Sequence, residues 1–144
     1  MKVVEWQEYT ELLQKLLQDV ELRSFDGIVA IGRGGCIIGA YLASKMGIPA
    51  IYPIFVRHVG RGKEMKIVTH DIGQVKSLGG RLLIVDDWLC DGRAMQYVLN
   101  LIPKTANVTT LVMFNRQGSE FKADIVGRYL DETEREIFFP YDPI

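Results

Sequence analysis

The chain has 144 residues, enough for one domain with a substantial core and too few for two of ordinary size. Its 17 basic and 18 acidic side chains nearly cancel, so the overall field recruits neither nucleic acid nor an anionic membrane, and an anion must be held by a local arrangement. No apolar run nears the ~18 residues of a membrane span, no secretory leader is seen, and two cysteines make neither a disulfide framework nor a metal quartet. The expectation is one cytoplasmic domain, residues 1–144, without a protein-held transition metal.

Residues 4–21 place Trp6, Tyr9, Leu13, Leu16, Leu17 and Val20 at helical spacing with polar residues between, the pattern of an amphipathic helix. GIVAI at 27–31 is short, apolar and β-branched and suits a strand buried on both faces, with GRGG at 32–35 as its exit loop. CIIGAYLASKM at 36–46 predicts a helix that Gly47 closes ahead of Pro49. PAIYPIFV at 49–56 predicts a strand in which Pro53, lacking an amide donor, demands an edge position or a bulge. RHVGRGKEMK at 57–66, glycine-rich and basic, predicts a mobile loop. RLLIVDD at 81–87 is the next strand; Met95, Val98, Leu99 and Ile102 then mark a helix that Pro103 ends. Further strands are predicted at 108–114, 124–130 and 135–141. Strands alternating with helices imply an α/β fold, a mainly parallel twisted sheet with helices on both faces, whose ligands sit beyond the carboxyl ends of the strands. GRGG and DDWLCDGR both lie at such ends.

Glycines between a strand and a helix let backbone amides approach an anion, and the helix start adds partial positive charge. The spacing of Gly32, Arg33, Gly34 and Gly35 is neither the dinucleotide fingerprint nor a Walker loop. The run therefore reads either as a tight connection or as an anion site in which the Arg33 guanidinium helps to hold a phosphate. Asp86 and Asp87 carry more, because ionised carboxylates at the end of an apolar strand are costly to bury without partners. Either one turns inward to bond a loop while the other meets water, or the pair accepts hydrogen bonds from sugar hydroxyls or holds Mg²⁺, directly or through its waters. Asp91 immediately precedes the helix and, as a cap, competes with any phosphate for the first amides.

An apolar strand, two acids, two apolar residues, a short glycine loop and a helix, as in RLLIVDDWLCDGRAM at 81–95, resembles the phosphoribosyl-diphosphate (PRPP) signature of type I phosphoribosyltransferases. The strand, Arg-Gly-Gly loop and helix at 28–46 resemble the pyrophosphate loop of the xanthine-guanine and hypoxanthine-guanine members. REIFFPYD at 135–142 resembles the C-terminal strand of short microbial purine enzymes, so the likeness covers nearly the whole chain from residue 26. It implies the type I fold with a small C-terminal hood, a homodimer, and a Mg²⁺-dependent transfer of ribose 5-phosphate from PRPP to a nitrogen base, a purine in salvage, with release of pyrophosphate. Residue by residue, it implies Asp86 and Asp87 at the ribose hydroxyls and as the carboxylates toward Mg²⁺, and Asp91, Gly92, Arg93 and Ala94 around the 5′-phosphate. Arg33, Gly34 and Gly35 would form the pyrophosphate loop. Arg61 and Lys63, in a segment matching the family's lid, would fold over the departing pyrophosphate.

The chain also departs from that pattern. Asp91 and Ala94 stand where the family offers small hydroxyl residues, which leaves the phosphate to the amides of Gly92, Arg93 and Ala94. Cys90 stands where the 6-oxopurine enzymes carry an aspartate that assists at the purine N7. Asn115, beside Arg116, replaces the lysine that reads the 6-oxo group and retains an amide to donate. Glu136 replaces the stacking aromatic, Ile137 offers its backbone to the base edge, and Phe138, Phe139 and Tyr141 read equally as core or as pocket wall. Two rival readings follow: a catalytically silent module that senses PRPP or a nucleotide, and a redox protein built on the Cys90 thiol near a helix start.

Overall fold

The computed structural model describes residues 1–59, 64–67 and 72–143. In chain order the elements are β1 (Lys2–Val3), α1 (Trp6–Val20), β2 (Gly27–Ile31), α2 (Gly32–Met46), β3 (Ile51–Ile54), β4 (Val56–Val59) and β5 (Glu64–Ile67). They continue with α3 (Ile72–Lys76), β6 (Arg81–Leu89), α4 (Arg93–Leu101), β7 (Asn107–Arg116), β8 (Ile125–Leu130) and β9 (Ile137–Phe138).

β3, β2, β6, β7 and β8 form one sheet in that order with every pairing parallel, the architecture that alternating strands and helices predict. Successive side chains on a strand face opposite ways. Ile28, Ala30, Leu83, Val85 and Leu111 accordingly build one core with α1 and α2, while Val29, Ile31, Leu82, Ile84 and Val112 build a second with α3 and α4. All of β2 is buried, as expected of a strand covered on both faces. Each large aliphatic there stabilises the fold by about 1.5–3 kcal/mol relative to exposure, so a charge placed in this strand would break it. β3 lies at the sheet edge with Pro53 opposite Ala30, where the missing donor interrupts no second ladder.

Several boundaries differ from expectation. α2 begins at Gly32 and not at residue 36, because Gly32 takes a φ of 66° and turns strand into helix within one residue, leaving no exit loop. β6 runs to Leu89, two residues past the expected end, because the long β7 keeps pairing with it: Trp88 faces Phe114 and Leu89 faces Asn115. The 57–66 segment, expected as a loop, contributes two antiparallel strands, β4 and β5, with Val56 opposite Ile67 and Val59 opposite Glu64. Arg61 and Lys63 lie outside the described residues. β1 and α3 are too short to show a period in the sequence. Of the expected 135–141 strand only Ile137–Phe138 pairs, parallel to β1, before Pro140 and a turn; this piece is the small C-terminal hood.

Candidate active site

The acid pair stands where two neighbouring strands part company. β2 makes its last bridge to β6 at Ala30 and Val85, whereas β7 stays paired with β6 from Asp86 to Leu89, so the carboxyls emerge beside the start of α2. Asp86 Oδ1 accepts the Asp87 amide at 2.8 Å, and Asp87 Oδ2 accepts the Tyr141 hydroxyl. The two glycines of α2 make this closeness possible. A Cβ on Gly34 would lie 1.8 Å from Asp87 Oδ2, and one on Gly35 would lie 2.5 Å from the Val85 carbonyl oxygen. Both glycines are therefore required by packing, whatever else they meet.

Burial pushes the Asp86 carboxyl well above the usual carboxylate range, and the charge of Asp87 beside it adds to the rise. Asp87 is raised too, again by burial, and the hydrogen bond from Tyr141 works against that rise. Burial and then the nearby Asp87 charge push the Tyr141 phenol up, which keeps it a donor. Among the described residues neither acid has an ion-pair partner. The pair is therefore short of positive charge, and a cationic or hydroxyl-rich ligand would meet its need.

Two hollows of about 300 Å³ each flank the pair and share Asp86, Trp88 and Ala94 in their walls, forming one crevice. On one side stand Gly32, Arg33 and Gly34 with Tyr141 and Asp142. Arg33 is exposed at the first turn of α2, and no ion pair holds it among the described residues. On the other side stand Cys90, Asp91, Gly92 and Arg93, leading into α4. Gly92 has a φ of 89°, and a Cβ there would lie 2.4 Å from Phe121 Cβ, so this position too must be glycine. Asp91 turns back onto the helix: its Oδ1 accepts the Arg93 amide at 2.9 Å and its Oδ2 lies 3.4 Å from Arg93 Nε. The cap position itself is Gly92, so Asp91 acts from one residue earlier, and its bond engages one of the three amides expected to meet a phosphate. A larger hollow of about 410 Å³, lined by Arg23, Ser24, Arg81 and Asn107, lies at the amino ends of β6 and β7, the end where such sheets do not bind ligands.

The residues expected to read a base are dispersed. Asn115 is fully buried, donates to the Arg116 carbonyl and to Ser119 Oγ, both at 3.0 Å, and accepts the Ala123 amide at 3.1 Å. Its amide is committed to holding the 116–123 loop and is not brought to the crevice, contrary to expectation. Arg116 is nearly buried, with Nε on the Cys90 carbonyl at 2.8 Å and Nη1 on the carbonyls of Gln117 and Glu132 at 3.2 and 3.3 Å. It ties the end of β6 to the turns that follow β7 and β8. Ile137 has a buried side chain, and β1 bonds the carbonyls of Glu136 and Phe138 on either side of it. Neither bond uses the Ile137 amide or carbonyl. Glu136 is exposed.

The sequence and the fold that carry this site have counterparts among known proteins. A family model for the phosphoribosyl transferase domain matches residues 5–138. The chain belongs to the phosphoribosyltransferase family. A xanthine-guanine phosphoribosyltransferase of Chromohalobacter salexigens is 29% identical over 96% of this chain and 82% of that protein, and one of Idiomarina loihiensis is 25% identical over 96% and 85%. The crystal structure of a purine phosphoribosyltransferase from Pyrococcus horikoshii superposes with a TM-score of 0.81 at 22% identity, covering 99% of this chain and 94% of that one.

Within a phosphoribosyltransferase frame, one crevice residue and one long-range contact escaped the sequence reading. Trp88 shares the strand face of Asp86, which period-two alternation from that acid would have indicated. Tyr141 reaches Asp87 across 54 residues of chain, and no local pattern announces such a contact.

Proposed function

We propose that this phosphoribosyltransferase moves ribose 5-phosphate from PRPP to a purine base and releases pyrophosphate. The observation that carries the reading is the acid pair: two half-buried, adjacent carboxyls without a cationic partner, open to a crevice between Arg33 and the first turn of α4. As the bond from the anomeric carbon to pyrophosphate breaks and the bond to the base nitrogen forms, positive charge grows on the ribose ring and the leaving group takes the electron pair. Asp86 and Asp87 would face that growing charge and accept the ribose hydroxyls, a stabilisation stronger in the transition state than in the ground state. Arg33 would hold the pyrophosphate, with Arg61 and Lys63 proposed to cover it. The amides of Gly92 and Ala94, with the Arg93 side chain, would receive the 5′-phosphate, while Cys90 and the backbone of Ile137 would border the base.

Among the described residues no cluster of three or more metal-ligating side chains forms. The uncompensated pair nevertheless suits Mg²⁺, which keeps several waters and takes one or two carboxylates together with substrate phosphates. Asp86 and Asp87 would hold it, directly or through water, and it would supply charge neutralisation at the leaving pyrophosphate. We further propose a homodimer in the cytoplasm; among the described residues no helix is long and apolar enough to cross a membrane.

A second reading, a silent module that binds PRPP without turnover, is favoured by Asp91 on the Arg93 amide and by the withdrawal of Asn115. Incubation with Mg²⁺ and PRPP and a panel of purine and pyrimidine bases separates the two. Pyrophosphate release with a purine is the expected result; calorimetric binding of PRPP with no release under any base would establish the module.

A further inference from the structure

We propose that Tyr141 is a positioning residue for this transfer, acting through Asp87: from the hood, its hydroxyl holds the carboxyl that faces the ribose. The inference rests on the transferase reading above. The oxygen of Asp87 that accepts the Tyr141 hydroxyl, Oδ2, is also the one nearest Gly34, so the carboxyl is clamped between the hood and the first turn of α2. The ring that carries the hydroxyl is itself fixed. It stacks on Phe139 with centroids 5.3 Å apart and planes 6° from parallel, and it meets Tyr9 edge-on at 5.7 Å and 84°. Tyr9 and Phe139 are both buried. The turn between Phe139 and Asp142 is closed at both ends, the Phe139 amide on Asp142 Oδ2 at 2.8 Å and the Asp142 amide on the Phe139 carbonyl at 3.0 Å.

A carboxyl held in advance needs no reorganisation as ring charge develops, whereas a freed one can turn about its side-chain bonds. The loss should therefore fall on kcat more than on substrate binding. Tyr141 also borders the crevice, so direct contact with substrate is the competing account, and a double-mutant cycle separates the two.

The test is steady-state kinetics with Mg²⁺-PRPP and a purine, following pyrophosphate, for the unaltered protein, Tyr141→Phe, Asp87→Asn and the double variant, each checked for a cooperative thermal transition. Tyr141→Phe keeps the stacked ring and loses only the hydroxyl. Its kcat is expected to fall about tenfold or more, within the ~10²-fold cost of a misplacement of about 1 Å, with KM for the base unchanged. In the Asp87→Asn background the same change should cost less than about twofold, because the link is already altered. An unchanged kcat in Tyr141→Phe, or an equal loss in both backgrounds, overturns the inference while leaving the transferase intact. Absence of turnover in the unaltered protein overturns the transferase reading and the inference with it.

Discussion

Along the side of the crevice proposed for the sugar, the polar groups other than Tyr141 and Asp142 follow directly from a strand: Arg33 and its glycines come straight off β2, and the acids and the glycine turn lie on β6 and its run into α4. The residues expected to border the base are instead held by loops and by more distant parts of the chain. Asn115 faces its own loop, Arg116 spans the carbonyls of Cys90, Gln117 and Glu132, and Ile137 sits in a two-residue strand that exists through pairing with β1. The first side is a product of local motifs and backbone direction, the second of tertiary contacts. On the proposed function, most of the groups for the reaction lie in two short runs, while the choice of acceptor is left to packing elsewhere.

The largest break in this comparison is expected from Asp87→Ala. Removing a group that stabilises transition-state charge costs about 10²–10³ in kcat, and pyrophosphate release under saturating PRPP and base would measure it; a loss below tenfold would mean that the acid pair is not the sugar clamp. Gly34→Ala follows. Its Cβ would lie 1.8 Å from Asp87 Oδ2, so either the acid or α2 must move. Overpacking of this kind costs about 1–3 kcal/mol of stability, read by urea denaturation, and turnover should fall with it because the displaced group is Asp87. Retained kcat in a destabilised Gly34→Ala protein would separate the glycine's packing role from the chemistry.

The sheet, its parallel sense and the acid pair were legible because each rests on local pattern: apolar runs of strand length, a glycine and proline stop after α2, and two charges where a core strand should stay apolar. What was not legible depends on partners far along the chain. β6 extends to Leu89 only because β7 supplies the opposing residues, and Gly32 dispenses with a loop through a φ that glycine permits without announcing. Asn115 looked available because its type can donate. That its donors are spent on Arg116 and Ser119 follows from the path of the 116–123 loop, which no spacing encodes. Tyr141 was correctly weighed between core and wall, and it serves both: its ring stacks with Phe139 and its hydroxyl meets the acid.

Asn115→Ala sharpens the base side. It leaves the Ala123 amide without its acceptor inside the protein, a loss of about 1–3 kcal/mol for a buried unsatisfied group. Thermal and urea unfolding should register that loss, while the ratio of kcat/KM among purines stays the same. A shift of tenfold or more in that ratio with unchanged stability would return Asn115 to base reading.

The smallest expected effect has the opposite sign. Burial, and after it the neighbouring charge of Asp87, raises the Asp86 carboxyl above its unfolded value. A raised acid binds its proton more readily in the folded chain than in the unfolded one. Its contribution to stability is therefore complete below the ordinary carboxylate range and is lost as pH rises through the folded value. In protein free of Mg²⁺ and PRPP, Asp86→Asn removes this titration, so at neutral pH the variant should be the more stable, by on the order of 1 kcal/mol. The advantage should shrink toward about pH 3, below the ordinary aspartate value of about 3.9, where Asp86 is mostly protonated in both states. Urea midpoints at the two pH values measure it, and a gap of equal size at both would show that the substitution acts through packing and not through charge. With Asn115→Ala destabilising and sparing purine choice, and Asp86→Asn stabilising and removing activity, the two walls would be distinguished by sign: the sugar side gives up stability for chemistry, and the base side holds the fold.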